Sequence, residues 1–209
     1  MKNFLTLSVI IVTMVAITVT SCKKKDDNQD ETCVQITDSR DNQTYPVVKI
    51  GDQCWMAKNL NYEVANNSWC YNTTASNCTN YGRLYNWTGA SSACPSGWHL
   101  PTDAEWKTLE ITLGMSQTDA NLDGWERGTD QGTKLKANGS SGFNALLSGL
   151  RNTTNSPYAD LSTNGYFWTS TVGLASTKYY RRTVSSSEAR VFRGDMHKDY
   201  GFSVRCLLN

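Results

Sequence analysis

Apolar and polar positions change period several times along the chain, and each change predicts an element. Phe4 to Val19 form an apolar, β-branched stretch, too short and wrongly flanked for a membrane span. Residues 23–31 hold no apolar side chain and cannot join a core. Alternation begins at Val34-Gln35-Ile36, and Asp38 to Asn42 read as a turn. Tyr45 to Ile50 read as a strand with Pro46 near its start, where a missing donor is tolerated. Gly51-Asp52 is a two-residue hairpin signal, with Gln53 to Ala57 as the returning strand. The Asn-rich residues 61–80 read as loop. Leu84 and Trp87 are spaced for one helix face within Tyr81 to Ala93, and Cys94-Pro95-Ser96-Gly97 stops that helix. Thr102-Asp103-Ala104-Glu105 fits a capping box. Trp106, Leu109 and Leu113 then form the core-facing stripe of a helix that Gly114 ends. Glycine-punctuated residues 115–165 read mostly as turns. Strands are predicted at Tyr166 to Thr171, Tyr179 to Val184 and Ala189 to Arg193. In a closing strand, Gly201 to Leu208, period two turns Phe202, Val204, Cys206 and Leu208 inward.

The N-terminal stretch gains meaning from its flanks. Lys2 precedes it, and Val19-Thr20-Ser21-Cys22 follows, a pattern like the lipobox of bacterial lipoproteins. Small residues at 20 and 21 admit a signal peptidase, and the Cys22 thiol accepts the lipid. The expected organisation is a signal peptide over 1–21, a lipidated Cys22 with a charged tether over 22–32, and one domain over 33–209. Acyl chains on Cys22 would make the membrane a partner without a spanning helix. The acid-containing tether resembles export signals of Bacteroidetes-type surface lipoproteins, which implies display on the outer membrane. Removing 1–21 takes away Lys2 from 20 basic residues and leaves 19 against 19 acids, a balance that argues against nucleic acid as a partner.

Seven cysteines occur, and lipidation of Cys22 leaves six: Cys33, Cys54, Cys70, Cys78, Cys94 and Cys206. An even number in an exported chain reads as disulfides, and spacing alone does not choose among the pairings. Cys70 and Cys78 bracket a short loop suited to a local staple. No Cys-x-x-Cys occurs and the two histidines, His99 and His197, lie far apart, so no metal site and no cofactor are expected.

Several segments together resemble the Fibrobacter succinogenes major paralogous domain family. They are Val48 to Leu60, with Gly51-Asp52-Gln53-Cys54-Trp55-Met56-Ala57 at its centre, and Tyr81-Gly82-Arg83-Leu84-Tyr85-Asn86-Trp87. Cys94 to Trp106 and Gly142-Phe143-Asn144-Ala145-Leu146 follow. Gly165-Tyr166-Phe167-Trp168-Thr169-Ser170 and Gly201-Phe202-Ser203-Val204-Arg205-Cys206 complete the set. The resemblance covers roughly residues 33–207. It implies an α+β domain of C-type lectin-like fold, in the variant also used by formylglycine-generating enzymes: a twisted antiparallel sheet, two helices and long irregular loops. Leu147-Ser148-Gly149-Leu150-Arg151 departs from the family's usual Leu-Pro-Gly-Gly-Tyr-Arg-like segment by losing a Tyr. The expected pairing is Cys33 with Cys54, Cys70 with Cys78 and Cys94 with Cys206.

Enzymatic activity is not expected. A formylglycine-generating enzyme needs paired reactive cysteines late in the chain, and here only Cys206 lies there. Asp103 and Glu105 read as helix-start residues, His99 as a hydrogen-bonded structural residue and His197 as a loop residue. The Glu-Pro-Asn-type and Trp-Asn-Asp-type calcium loops of sugar-binding lectins do not occur, and Asp119, Asp123 and Asp130 read as turn residues. The expected function is a non-catalytic binding or adhesion module with glycan, or another surface protein, as ligand. A structural envelope component is the alternative, and an enzyme of formylglycine-generating-like fold a remote one. Between Lys178 and Arg205, seven basic residues face three acids, Glu188, Asp195 and Asp199. The expected contact residues there are Tyr179, Tyr180, Arg181, Arg190 and Arg193, suited to acidic ligands through Arg contacts and stacking on Tyr. Arg205 is expected to pair with an acid at the edge of the core.

Overall fold

The computed structural model describes residues 33–153 and 157–209. The expected signal segment, Cys22 and the tether lie outside the described residues.

A mixed, mostly sheet architecture is built from short strands and short helices. Strand β1 (Ile36–Thr37) pairs with β2 (Thr44–Tyr45). Pro46 then separates β2 from β3 (Val47–Ile50), splitting the single strand expected over 45–50. Strand β3 pairs antiparallel with β4 (Gln53–Met56) across Gly51-Asp52, with Ile50 opposite Gln53. Gly51 turns at φ +61°, a conformation that favours glycine.

The next stretch departs from expectation. Helix α1 (Ala75–Tyr81) follows β5 (Ser68–Trp69) inside the expected loop. The helix expected over 81–93 is instead β6 (Leu84–Tyr85) followed by α2 (Trp87–Ala93). Tertiary pairing overrides the local spacing there. The Tyr85 amide donates to the Phe202 carbonyl at 2.8 Å and the Phe202 amide returns the bond at 2.9 Å. Asn86 then caps α2 by accepting from the Gly89 amide.

Strand β7 (Trp98–His99) leads into α3 (Asp103–Thr112), which starts with the predicted capping box. Helices α4 (Gln117–Ala120) and α5 (Gln131–Leu135), and strands β8 (Ser148–Arg151) and β9 (Tyr158–Leu161), order the region read as turns. The described residues thus hold five α-helices, where two were expected. Three long strands follow, β10 (Asn164–Val172), β11 (Lys178–Ser185) and β12 (Val191–His197), and β13 (Leu207–Leu208) closes the chain.

Two sheets dominate, one of five strands in the order β12-β11-β10-β8-β9 and one of four in the order β3-β4-β13-β7. All their pairings are antiparallel except β10 with β8. The long sheet lies between two cores. Tyr166 and Trp168 join one with Tyr85, Phe202, Val204 and Cys206. Phe167 joins the other with Trp55, Trp106, Phe143, Val184 and Val191. A strand buried on both faces needs consecutive apolar residues, which Tyr166-Phe167-Trp168 supplies.

The same two-sided burial corrects the closing strand. Ser203, Arg205 and Leu207 are buried as fully as Phe202, Val204 and Cys206, whereas Leu208 is half-exposed. The segment threads between the cores, so alternation does not divide inside from outside. Three disulfides staple the fold, Cys33–Cys54, Cys70–Cys78 and Cys94–Cys206.

Candidate functional site

The densest chemistry lies where α3 faces the long sheet. Asp103 and Glu110 stand seven residues apart, two helical turns, and so share a face of α3. Arg182 and Arg193 lie directly opposite each other on β11 and β12. Like charges in register repel, and Asp103 resolves the conflict. It accepts Arg182 Nη1 at 2.7 Å and both Arg193 Nε and Nη2 at 2.8 Å. Glu110 accepts Arg182 Nε at 2.7 Å and Arg127 through two nitrogens at 3.0 and 2.6 Å. Arg193 Nη1 also reaches Asp123 at 2.5 Å, which makes Asp123 an ion-pair partner and not only a turn residue. Burial alone would raise the Asp103 carboxyl, but the Arg193 hydrogen bonds and the Arg182 charge hold it well below the usual carboxylate range. Carboxylate oxygens meet all three guanidinium groups, with Arg127 Nε left unpartnered, so the cluster is a clamp between helix and sheet. Of its members, sequence reasoning had placed only Arg193 in a site. The signal it passed over was Asp103 and Glu110 on one helix face.

The five expected contact residues do not form one surface. Strand alternation sends Tyr179 and Arg181 to one face and Tyr180 to the other. Tyr179 stacks on Trp87 at 3.5 Å between ring centroids. Tyr180 lies under the Arg193 guanidinium at 4.1 Å. Arg193 is only 6 % exposed and committed to Asp103. Arg190 pairs with Glu188 at 3.2 Å and Glu126 at 3.3 Å near the surface. Arg181 is buried against the Phe192 ring at 4.5 Å, and burial draws its guanidinium down to about 10.

The net positive charge of residues 178–205 is therefore largely internal. Arg205 corrects a second expectation, because among the described residues it has no acidic partner. It donates to Asn59 Oδ1 at 2.7 Å, to the Met56 carbonyl at 3.0 Å, and to the Phe143 and Asn144 carbonyls. Complete burial pulls it down to about 9. His99 takes the structural place expected of it, between Asn209 Oδ1 at 2.7 Å and Glu105 Oε1 at 2.9 Å. His197 ends β12 beside Asp199, at 3.3 Å, and so lies in a strand and not in a loop.

Two of the five do border a common concavity. A cleft of about 230 Å³ opens at the β12 edge, lined by Asp123, Leu174, Tyr180, Phe192, Arg193 and Asp195 among others. The Trp125 ring meets Phe192 edge-on at 5.4 Å and extends the aromatic wall. Asp195 Oδ2 accepts the Leu174 amide at 2.8 Å, which fixes the hairpin turn over the cleft. Aromatic faces, apolar edges and carboxylates together offer stacking and hydrogen-bond acceptors. Among the described residues, no group of three His, Cys, Asp or Glu side chains converges as metal ligands, and no helix is long and apolar enough to cross a membrane.

No curated protein and no solved structure matches this chain. One family model, described as the Fibrobacter succinogenes major domain, matches residues 48–207. That span takes in all of the second core, the first apart from Tyr45 and Ile36, the clamp and the cleft, and the chain belongs to the Fibrobacter succinogenes major domain family.

Proposed function

We propose that this protein is a non-catalytic binding module, tethered to the cell envelope through a lipid on Cys22, that engages saccharide ligands in the cleft at the β12 edge. The observation that carries this reading is the cleft's lining: Tyr180 and Phe192 rings, the Leu174 side chain at 85 % exposure, and Asp123, Arg193 and Asp195 as polar rim. Sugars present apolar faces to aromatic rings and hydroxyls to carboxylates, so this mixture suits them. Three disulfides favour an oxidising, extracytoplasmic setting, in keeping with display at the outer membrane. We read the architecture as a C-type lectin-like arrangement. Curled antiparallel sheets and a segment leading into β13 that is stapled to the segment before α3 support that reading.

A glycan array probed with the full-length protein tests the function. Binding to a defined set of saccharides is expected, weakened roughly tenfold or more by Tyr180→Ala or Leu174→Ser. Equal binding by wild type and both variants would remove the cleft from the proposal. For the anchor, Cys22→Ala is expected to abolish acylation and shift the protein out of the membrane fraction. Unchanged mass and fractionation would remove it.

A second reading, an envelope assembly component, draws on one observation. Leu174 is an exposed apolar side chain on the cleft, and Leu122 and Val172, close in sequence to the cleft-lining Asp123 and Leu174, are exposed too, as at a protein contact. Co-purification of one stoichiometric envelope protein, lost in Leu174→Ser, would favour it.

A further inference from the structure

At the edge of the long sheet opposite the cleft, four half-buried side chains meet. They are Trp69 of β5, Tyr71 of a short 3-10 turn (Tyr71–Thr73), Arg151 of β8 and Tyr158 of β9. Arg151 and Tyr158 stand directly opposite each other across the two strands and so share a face. The Arg151 guanidinium lies over the Trp69 ring at 3.9 Å. The Tyr158 ring meets Tyr71 at 5.2 Å between centroids. None of the four lines the cleft.

Two glycines let this group assemble. A Cβ at Gly201 would meet the Arg151 Cβ at 2.8 Å, and one at Gly149, where φ is +65°, would meet the Tyr71 ring at 2.8 Å. The Arg151 amide donates to the Gly201 carbonyl at 2.9 Å, and the Gly201 amide returns the bond at 2.7 Å. The arginine thus starts from a fixed backbone and lies on a fixed ring, with its N–H edge turned away from that ring. Among the described residues, this edge meets no carboxylate and no other acceptor, and the Tyr71 and Tyr158 hydroxyls have no partner either. Acids in the flanking segments are committed elsewhere, Glu63 to Arg83 at 2.6 Å and Asp160 to the Tyr166 hydroxyl at 2.5 Å. Arg151 therefore differs from the arginines of the clamp, which are buried and paired. A guanidinium held flat on an indole, with its fork open, is preorganised for a bidentate oxyanion.

We propose that Trp69, Tyr71, Arg151 and Tyr158 form a second ligand site, which takes the carboxylate of an acidic saccharide on the Arg151 fork and its sugar ring against the tyrosines. The saccharide class rests on the reading of the cleft, but the site shares no residue with it.

The test compares full-length wild type with Arg151→Met, Arg151→Lys and Arg190→Met. The last removes an equal charge beside β12, at the other edge of the sheet. Each protein is titrated with polygalacturonate, neutral dextran and phosphatidylglycerol vesicles. Wild type is expected to prefer polygalacturonate over dextran by roughly tenfold or more, in a salt-sensitive way. Arg151→Met is expected to lose that preference while melting within about 4 °C of wild type, since only an exposed cation–π contact is removed. Arg151→Lys, which keeps the charge without the planar fork, should retain a fraction of it. Arg190→Met should retain it in full.

A preference that survives in Arg151→Met, or falls equally in Arg190→Met, would overturn the proposal. So would a much larger drop in melting temperature in Arg151→Met, which would make the guanidinium structural. Arg151-dependent binding to the vesicles without binding to polygalacturonate would overturn it in favour of a lipid surface. Glycan binding that needs Tyr180 and Leu174 but shows no acidic preference would sink this site and leave the cleft standing. An Arg151-dependent preference indifferent to Tyr180→Ala and Leu174→Ser would do the reverse.

Discussion

At the scale of single residues, the clamp between α3 and the long sheet shows how buried charge is made tolerable. Asp103 answers two arginines that the strand register sets face to face, and Glu110 answers the third. Removing one partner of such a set strands the others. Asp103→Asn is therefore expected to cost roughly 3–5 kcal/mol, measured by chemical denaturation. The pH dependence follows from the same geometry. The Asp103 carboxyl is held below its ordinary range in the folded protein. Its stabilisation is thus fully present above the unfolded value of about 4 and is lost as pH falls from there toward the depressed folded value. Wild-type melting temperature should decline below about pH 4, and that acid limb should be shallower in Asp103→Asn. An identical acid limb in both proteins would remove Asp103 as its source.

At the scale of elements, the start of α3 illustrates a local rule that survives folding. The Thr102 hydroxyl accepts the Glu105 amide at 3.1 Å and the Glu105 carboxylate accepts the Thr102 amide at 2.7 Å. The other Glu105 oxygen meets His99 on β7, so the cap also ties helix to strand. Thr102→Ala is expected to lower stability by about 1 kcal/mol, read from the denaturation midpoint. The capping box, the hairpin at Gly51-Asp52 and the Trp106, Leu109 and Leu113 stripe were legible because each depends on neighbours within a few residues. The segment 81–93 was not. Leu84 and Trp87 have helical spacing, but Tyr85 pairs with Phe202, more than a hundred residues away, and no local pattern announces that partner.

At the scale of the whole molecule, the disulfides differ in what they constrain. Cys94–Cys206 closes a separation of 112 residues and Cys70–Cys78 one of 8. In the chain-entropy view, removing the long closure costs about 4–5 kcal/mol and removing the short one about 2–3 kcal/mol. Paired Cys→Ala variants compared by denaturation check the order, and a larger loss for the short loop would contradict it. The long staple joins the segment before α3 to the segment that runs between the two cores. Losing it should loosen both cores together, visible as earlier hydrogen exchange at the Phe202 and Trp168 amides.

By itself the sequence determined the elements whose signals are local, the family, and a cysteine set that resolves into three staples. It also placed cationic and aromatic residues together near the C-terminus. Only the tertiary structure decided what those residues do. Alternation along β11 splits Tyr180 from Arg181, and the α3 carboxylates absorb Arg182 and Arg193. Arg205 is turned into carbonyls, and Arg181 is packed against Phe192 with Thr183 as its hydrogen-bond acceptor. The physical reason is that charge satisfaction is set by long-range contacts. Whether an arginine is structural or available depends on which carboxylates the fold brings within about 3 Å, and chain spacing carries no record of that.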